Sequence, residues 1–240
     1  MDEMLRQAED ALRRKDGKTA LAIADQILEH DETCSQAWFI AMQCFQLIYP
    51  IEQYDAQNEL NCARYAIRFA PKEKKYGVRK RVYLFLMDKI LDVLRRDADV
   101  LADARELLSF YQRTAYFDAR GAAEKTRAHD KDVMDAVLRS FTYCAQLFDF
   151  IPDSAVRGNA QLNRKAAEIA QQWQKTYSLV AMRVGLYHCE MPAGDIREAL
   201  RTYARYLRAV HDKEEIMKAP VPFNTIGEDQ LSYLFEGSDS

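Results

Sequence analysis

All six prolines of this 240-residue chain stand where a stretch of helical periodicity stops: Pro50, Pro71, Pro152, Pro192, Pro220 and Pro222. A proline ring removes a backbone donor and clashes with the turn before it, so it is tolerated at helix ends and not inside them. With only eight glycines as well, long stretches run without any breaker. A sandwich or barrel needs turn residues far more often. The chain is therefore expected to be all-α. The spacing predicts about ten helices, at about 2–15, 18–30, 34–48, 54–70, 78–96, 98–115, 129–149, 155–176, 178–190 and 194–217.

The apolar residues within these segments agree. Val82, Phe85, Leu86, Ile90, Val93 and Leu94 recur every three or four positions and make one helical stripe. Val133, Val137, Phe141, Cys144, Leu147 and Phe148 make another. The connections at Asp16-Gly17 and at Met191-Pro192-Ala193-Gly194 are short enough to force antiparallel neighbours. The polar stretch from Tyr116 to Lys131 suggests a soft division, giving an N-terminal helical region at 1–115 and a C-terminal one at 129–217. A tail at 218–240 follows, and Pro220 and Pro222 make its start extended.

Composition narrows the function classes. A net charge of −3 makes the molecule as a whole no attractor of nucleic acid, so any such binding needs a local patch. No apolar run reaches the ~18 residues of a membrane span, and the N-terminus lacks the pattern of a signal peptide. A cytoplasmic location is expected. Cys34, Cys44, Cys62, Cys144 and Cys189 are scattered and contain no Cys-x-x-Cys, which reads as reduced thiols and not as disulfides or zinc ligands. His30, His129, His188 and His211 form no His-x-x-x-His pair, and no phosphate loop or nucleophile elbow is present. Nothing in the sequence calls for a catalytic residue, a metal or a cofactor.

Gly194, Asp195, Ala199 and Tyr203 fall at the spacing of a helix-turn-helix unit with a small residue at the crossing. Ala8, Ala11, Ala20, Ala24, Ile27 and then Trp38, Ala63, Ala66 and Pro71 fall at similar spacings near the N-terminus. These residues resemble the tetratricopeptide repeat family, whose units are helix pairs of about 34 residues. The likeness covers residues 1–71 and about 178–212. Ile196 replaces the family's aromatic, and His211 stands where its terminating proline belongs. The turn from Leu47 to Gln53 is several residues too long for the family. The resemblance implies an antiparallel helical solenoid or bundle that holds a protein or peptide on its surface.

Two clusters are candidate binding residues. Lys72, Lys74, Lys75, Arg79, Lys80 and Arg81 place six positive charges in ten residues, relieved only by Glu73 and flanked by Tyr76 and Tyr83. Such a run either meets a phosphate backbone or is a solvated loop whose charges pair with nearby carboxylates. Arg197, Arg201, Arg205 and Arg208 line one face of the last long helix. They either suit the carboxylates of an acidic peptide, because a guanidinium can clamp one with two hydrogen bonds, or form a solvated outer face. Trp173 with Tyr177, and Tyr203 with Tyr206, either line a groove or fill the core. The tail carries Glu228, Asp229, Glu236 and Asp239 around Leu231, Tyr233, Leu234 and Phe235, and no Lys or Arg after Lys218. A segment of that chemistry either suits a groove with basic walls, in its own chain or in a second copy, or is a loose terminus or a short helix that caps the end of the solenoid.

The reading that follows is a non-catalytic adaptor or regulator whose partner is a protein or peptide, with homodimerisation through the tail as one form of it. The alternative is a nucleic-acid-linked regulator using the basic run at 72–81.

Overall fold

A computed structural model of the chain describes residues 1–49, 55–114, 133, 136–137 and 139–187. Among these residues there are eight helices and no strand. They are α1 (Asp2–Arg13), α2 (Gly17–His30), α3 (Ser35–Ile48), α4 (Ala56–Arg68), α5 (Lys75–Thr114), α6 (139–149), α7 (Asp153–Arg157) and α8 (Ala160–Tyr187). The all-α expectation holds.

Two expected helix boundaries are wrong. The predicted pair at 78–96 and 98–115 is one continuous helix, α5. The expected break falls at Asp97. Neither glycine nor proline lies between Val78 and Thr114, however, and Leu94, Ala98 and Leu101 continue the buried stripe through it. The predicted break near residue 177 is absent as well, since α8 runs through it. The break lies instead at Gly158-Asn159, where Gly158 ends α7 and the Asn159 side chain accepts from the amides of Gln161 and Leu162 at 3.0 and 3.2 Å. That arrangement is an N-cap, and a Gly-Asn pair is the local signal for it. The helix expected at 194–217 and the division at 116–131 lie outside the described residues, as does the tail.

The chain divides into two compact units. One comprises Met1–Asp88 with Gln146–Ile151, the other Lys89–Ala145 with Pro152–Ser240. In the first, α1 packs on α2 and also on α3, α2 on α3, and α3 on α4. Ala8, Ala11, Ala20, Ala24, Ala37, Ala63 and Ala66 have no solvent-exposed surface, so helix backbones approach closely where these side chains meet. The turn between α1 and α2 is closed by two backbone bonds, Lys15 N–H to Leu12 O and Asp16 N–H to Ala11 O, both 2.9 Å. This is the pattern of a Schellman cap, and it places Lys15 in the left-handed region with φ 60°. Asp16 then caps α2 by accepting from the Thr19 amide at 3.1 Å. Further along, the Ser35 hydroxyl at the start of α3 donates to the Ala66 carbonyl of α4 at 2.7 Å, and the Trp38 and Tyr65 rings lie 4.7 Å apart.

The second unit buries an indole and several polar groups. Trp173 is fully buried and its ring lies 5.6 Å from that of Phe141. Lys89 and Asp97, two turns apart on α5, are both almost completely buried. The Lys89 ammonium lies 5.5 Å from the centre of the Tyr143 ring, and Asp97 pairs with Arg96 at 3.0 Å. The buried Thr176 hydroxyl lies 3.0 Å from the carbonyl oxygen of Leu94.

Candidate functional site: a groove beside a cationic helix start

The first unit carries an open groove formed by α1, α3, the 69–74 turn and the first two turns of α5. It consists of two cavities of about 380 and about 280 Å³ that share Gln36, Phe39 and Arg81. Leu5, Phe39, Phe69 and Val78 line the larger one and are half-buried, so their apolar surface is neither sealed in the core nor fully solvated. The positions follow from helical periodicity. Leu5, Glu9 and Leu12 recur along one face of α1, Gln36, Phe39 and Gln43 along α3, and Val78 and Arg81 along α5.

Charge at the groove is lopsided. Among the described residues, Glu9 is the one carboxylate lining either cavity. It accepts a hydrogen bond from Gln36 Nε2 and pairs with Arg13 at 4.0 Å. Lys74 and Arg81 stand on the rim with no carboxylate partner among the described residues. The Arg81 guanidinium lies 4.7 Å above the Phe39 ring, a cation–π contact that holds it at the junction of the two cavities.

The basic run can now be placed residue by residue. Lys72 and Lys74 are exposed in the turn before α5; Arg79 and Arg81 are exposed, and Lys75 and Lys80 half-buried, on its first two turns. The structure brings only Lys74 and Arg81 to the groove. None of the six pairs with a carboxylate among the described residues. The two flanking aromatics part company. Tyr76 is 67% exposed, but Tyr83 is core, with its ring edge-on to Phe150 at 6.1 Å, and it is no stacking platform. Burial raises the Tyr83 phenol's pKa, partly countered by the charge of Arg79.

Other candidates resolve as structure. Trp173 belongs to the core of the second unit and not to a groove. Cys44, Cys62 and Cys144 are buried free thiols and Cys34 is half-buried, while Cys189 lies outside the described residues. Burial pushes the Cys44 and Cys62 thiols up to about 12, so neither is a thiolate nucleophile at neutral pH. Among the described residues no group of three His, Cys, Asp or Glu side chains is placed to hold a metal, and no helix is long and apolar enough to cross a membrane. Arg197, Arg201, Arg205, Arg208, Tyr203 and Tyr206 lie outside the described residues.

Sequence reasoning missed the groove walls. Leu5, Phe39, Phe69 and Val78 read as ordinary core residues, because periodicity separates inside from outside and does not mark a half-buried position. The usable signal was Phe39, a large half-buried aromatic beside the inward Ala37 and Ile40 and next to Trp38, which the repeat resemblance places in the packing.

Comparison of the chain with family models, with curated proteins and with solved structures finds no match.

Proposed function

We infer that this chain is a non-catalytic binding module, an adaptor or regulator of the tetratricopeptide-like kind, which holds a segment of a protein partner in the groove between α1, α3 and α5. The observation that carries this reading is the groove itself, two open cavities of which the larger has apolar walls of Leu5, Phe39, Phe69 and Val78 beside polar groups. Binding sites combine apolar walls with a few placed polar groups in this way. The packing of α1 on both α2 and α3 supports the repeat reading, since consecutive helix pairs then set their first helices side by side. Leu5 and Phe39 come from those first helices, and Val78 from the start of α5. An open solenoid extending beyond α4, and the part played by the arginines of 197–208, belong to the same proposal.

The test compares affinity capture from native lysate by the wild type and by a double variant, Phe39→Ser with Val78→Ser. Both side chains are half-buried, so circular dichroism is expected to show an intact fold. The reading expects a protein retained by the wild type and lost from the variant, with retention little changed by moderate salt. Identical captures by the two would overturn it.

A further inference from the structure

Beside the groove, the end of α4 and the start of α5 carry an excess of positive charge that no carboxylate among the described residues balances. From Arg64 to Arg81 the chain has eight Lys and Arg against Glu73 alone, in a protein whose net charge is −3. Arg64 and Arg68 are exposed on α4, one turn apart, and lengthen the run that begins at Lys72. Contacts tie the two helices' cations into one neighbourhood. The Arg64 guanidinium lies 5.7 Å from the Phe150 ring, the same ring that Tyr83 meets edge-on, and Tyr83 lies within the electrostatic reach of Arg79. The Arg68 guanidinium lies 5.6 Å from the Phe69 ring, which borders the same cavity as Pro71 and Lys74.

This arrangement costs stability. No acidic residue occupies the first turn of α5, where the helix dipole is positive and carboxylates are favoured, and Lys75 stands there instead. Arg64, Arg68, Lys72, Lys75 and Arg79 have no carboxylate partner among the described residues. Mutual repulsion of this kind is relieved by a bound polyanion. The exposed apolar surface beside it is aromatic: Tyr65 is 38% and Tyr76 67% exposed, with no exposed large aliphatic side chain among the described residues of 64–81. A helix that inserts into lipid presents a face of aliphatic and large apolar groups. Exposed rings between cations match single-stranded nucleic acid, whose bases stack on aromatics while its phosphates meet Lys and Arg.

We propose that the end of α4 and the start of α5 form a binding edge for single-stranded nucleic acid, with Arg64, Arg68, Lys72, Lys75 and Arg79 meeting phosphates and Tyr76 stacking on a base. The edge is separate from the groove walls, so the proposal stands or falls independently of the protein-binding reading.

The test is fluorescence anisotropy of the full chain with a labelled uridine oligomer. Binding is expected at low salt and should weaken by more than about tenfold between about 50 and about 200 mM salt, because each neutralised phosphate contributes about −0.7 to the logarithmic slope. A variant with Arg64, Arg68, Lys75 and Arg79 changed to Glu should lose binding while keeping its helical circular dichroism. Tyr76→Ala should weaken binding at least about fivefold, and Tyr76→Phe should restore it, because stacking needs the ring and not the hydroxyl. No binding of the oligomer at low salt overturns the proposal. So does equal binding of a DNA duplex, of polyglutamate or of phosphatidylserine vesicles, and so does loss in Tyr76→Phe equal to that in Tyr76→Ala.

Discussion

Where α1, α2 and α3 meet in the first unit, the fully buried side chains include Ala8, Ala11, Ala20, Ala24 and Ala37, together with Gly17 at the start of α2. In the second unit the buried set includes Trp173, Phe141, Lys89, Asp97 and Thr176. Both are helical, but they solve the packing problem in opposite ways. Alanine crossings bring backbones together and leave no room for added atoms. The second core fills space between helices with large side chains and must satisfy polar groups inside it. The first unit should therefore be sensitive to enlargement, and the second to truncation and to loss of polar partners.

The largest expected effect tests the second half of that statement. Trp173→Ala removes a fully buried indole that packs on Phe141 and should destabilise the second unit by about 3–5 kcal/mol, read by chemical denaturation. A loss below about 1 kcal/mol would mean that this core does not depend on filled volume.

A smaller effect tests the first half. A β-carbon added at Gly17 would lie 2.6 Å from Leu47 Cβ and 3.1 Å from Ile48 Cγ1. Gly17→Ala should thus force α2 and α3 apart and cost about 1–3 kcal/mol, although alanine is the better helix former. The chain's two tryptophans make the measurement specific, since Trp38 lies in the first unit and Trp173 in the second. In a Trp173→Phe background, the fluorescence transition of Trp38 should move to lower denaturant. An unchanged or stabilised transition would remove the close approach from the comparison.

The smallest effect should be a gain. Lys15 adopts φ 60° at the C-cap of α1, a conformation that suits glycine and strains a side chain. Lys15→Gly should raise stability by less than about 1 kcal/mol, seen as a small increase in Tm. A clear loss would show that the lysine side chain contributes more to the turn between α1 and α2 than its backbone strain costs.

The contrast between the units also explains what could be read in advance. Alanines at fixed spacing around Asp16-Gly17 are visible in a sequence because a small residue at a crossing recurs with the helix pair. Lys89 and Asp97 hid the second core. Charged side chains give a helical pattern no sign of burial, and the expected pair of helices at 78–96 and 98–115 breaks at Asp97, where α5 is continuous. The groove was hidden for a related reason. Its walls are half-buried, and half-burial arises only when three helices from separate stretches of chain come together.

By itself the sequence determined the helical class, most helix ends of the first unit and the position of its cationic run. Each of these rests on local chemistry: proline and glycine placement, the period of apolar residues, and the density of charge along the chain. Tertiary structure alone decided that α5 continues past Asp97, that Tyr83 is core while Tyr76 is exposed, and that Lys74 and Arg81 overlook an apolar groove. Those outcomes depend on which face of a helix another segment covers, and that is set by packing between residues far apart in the chain.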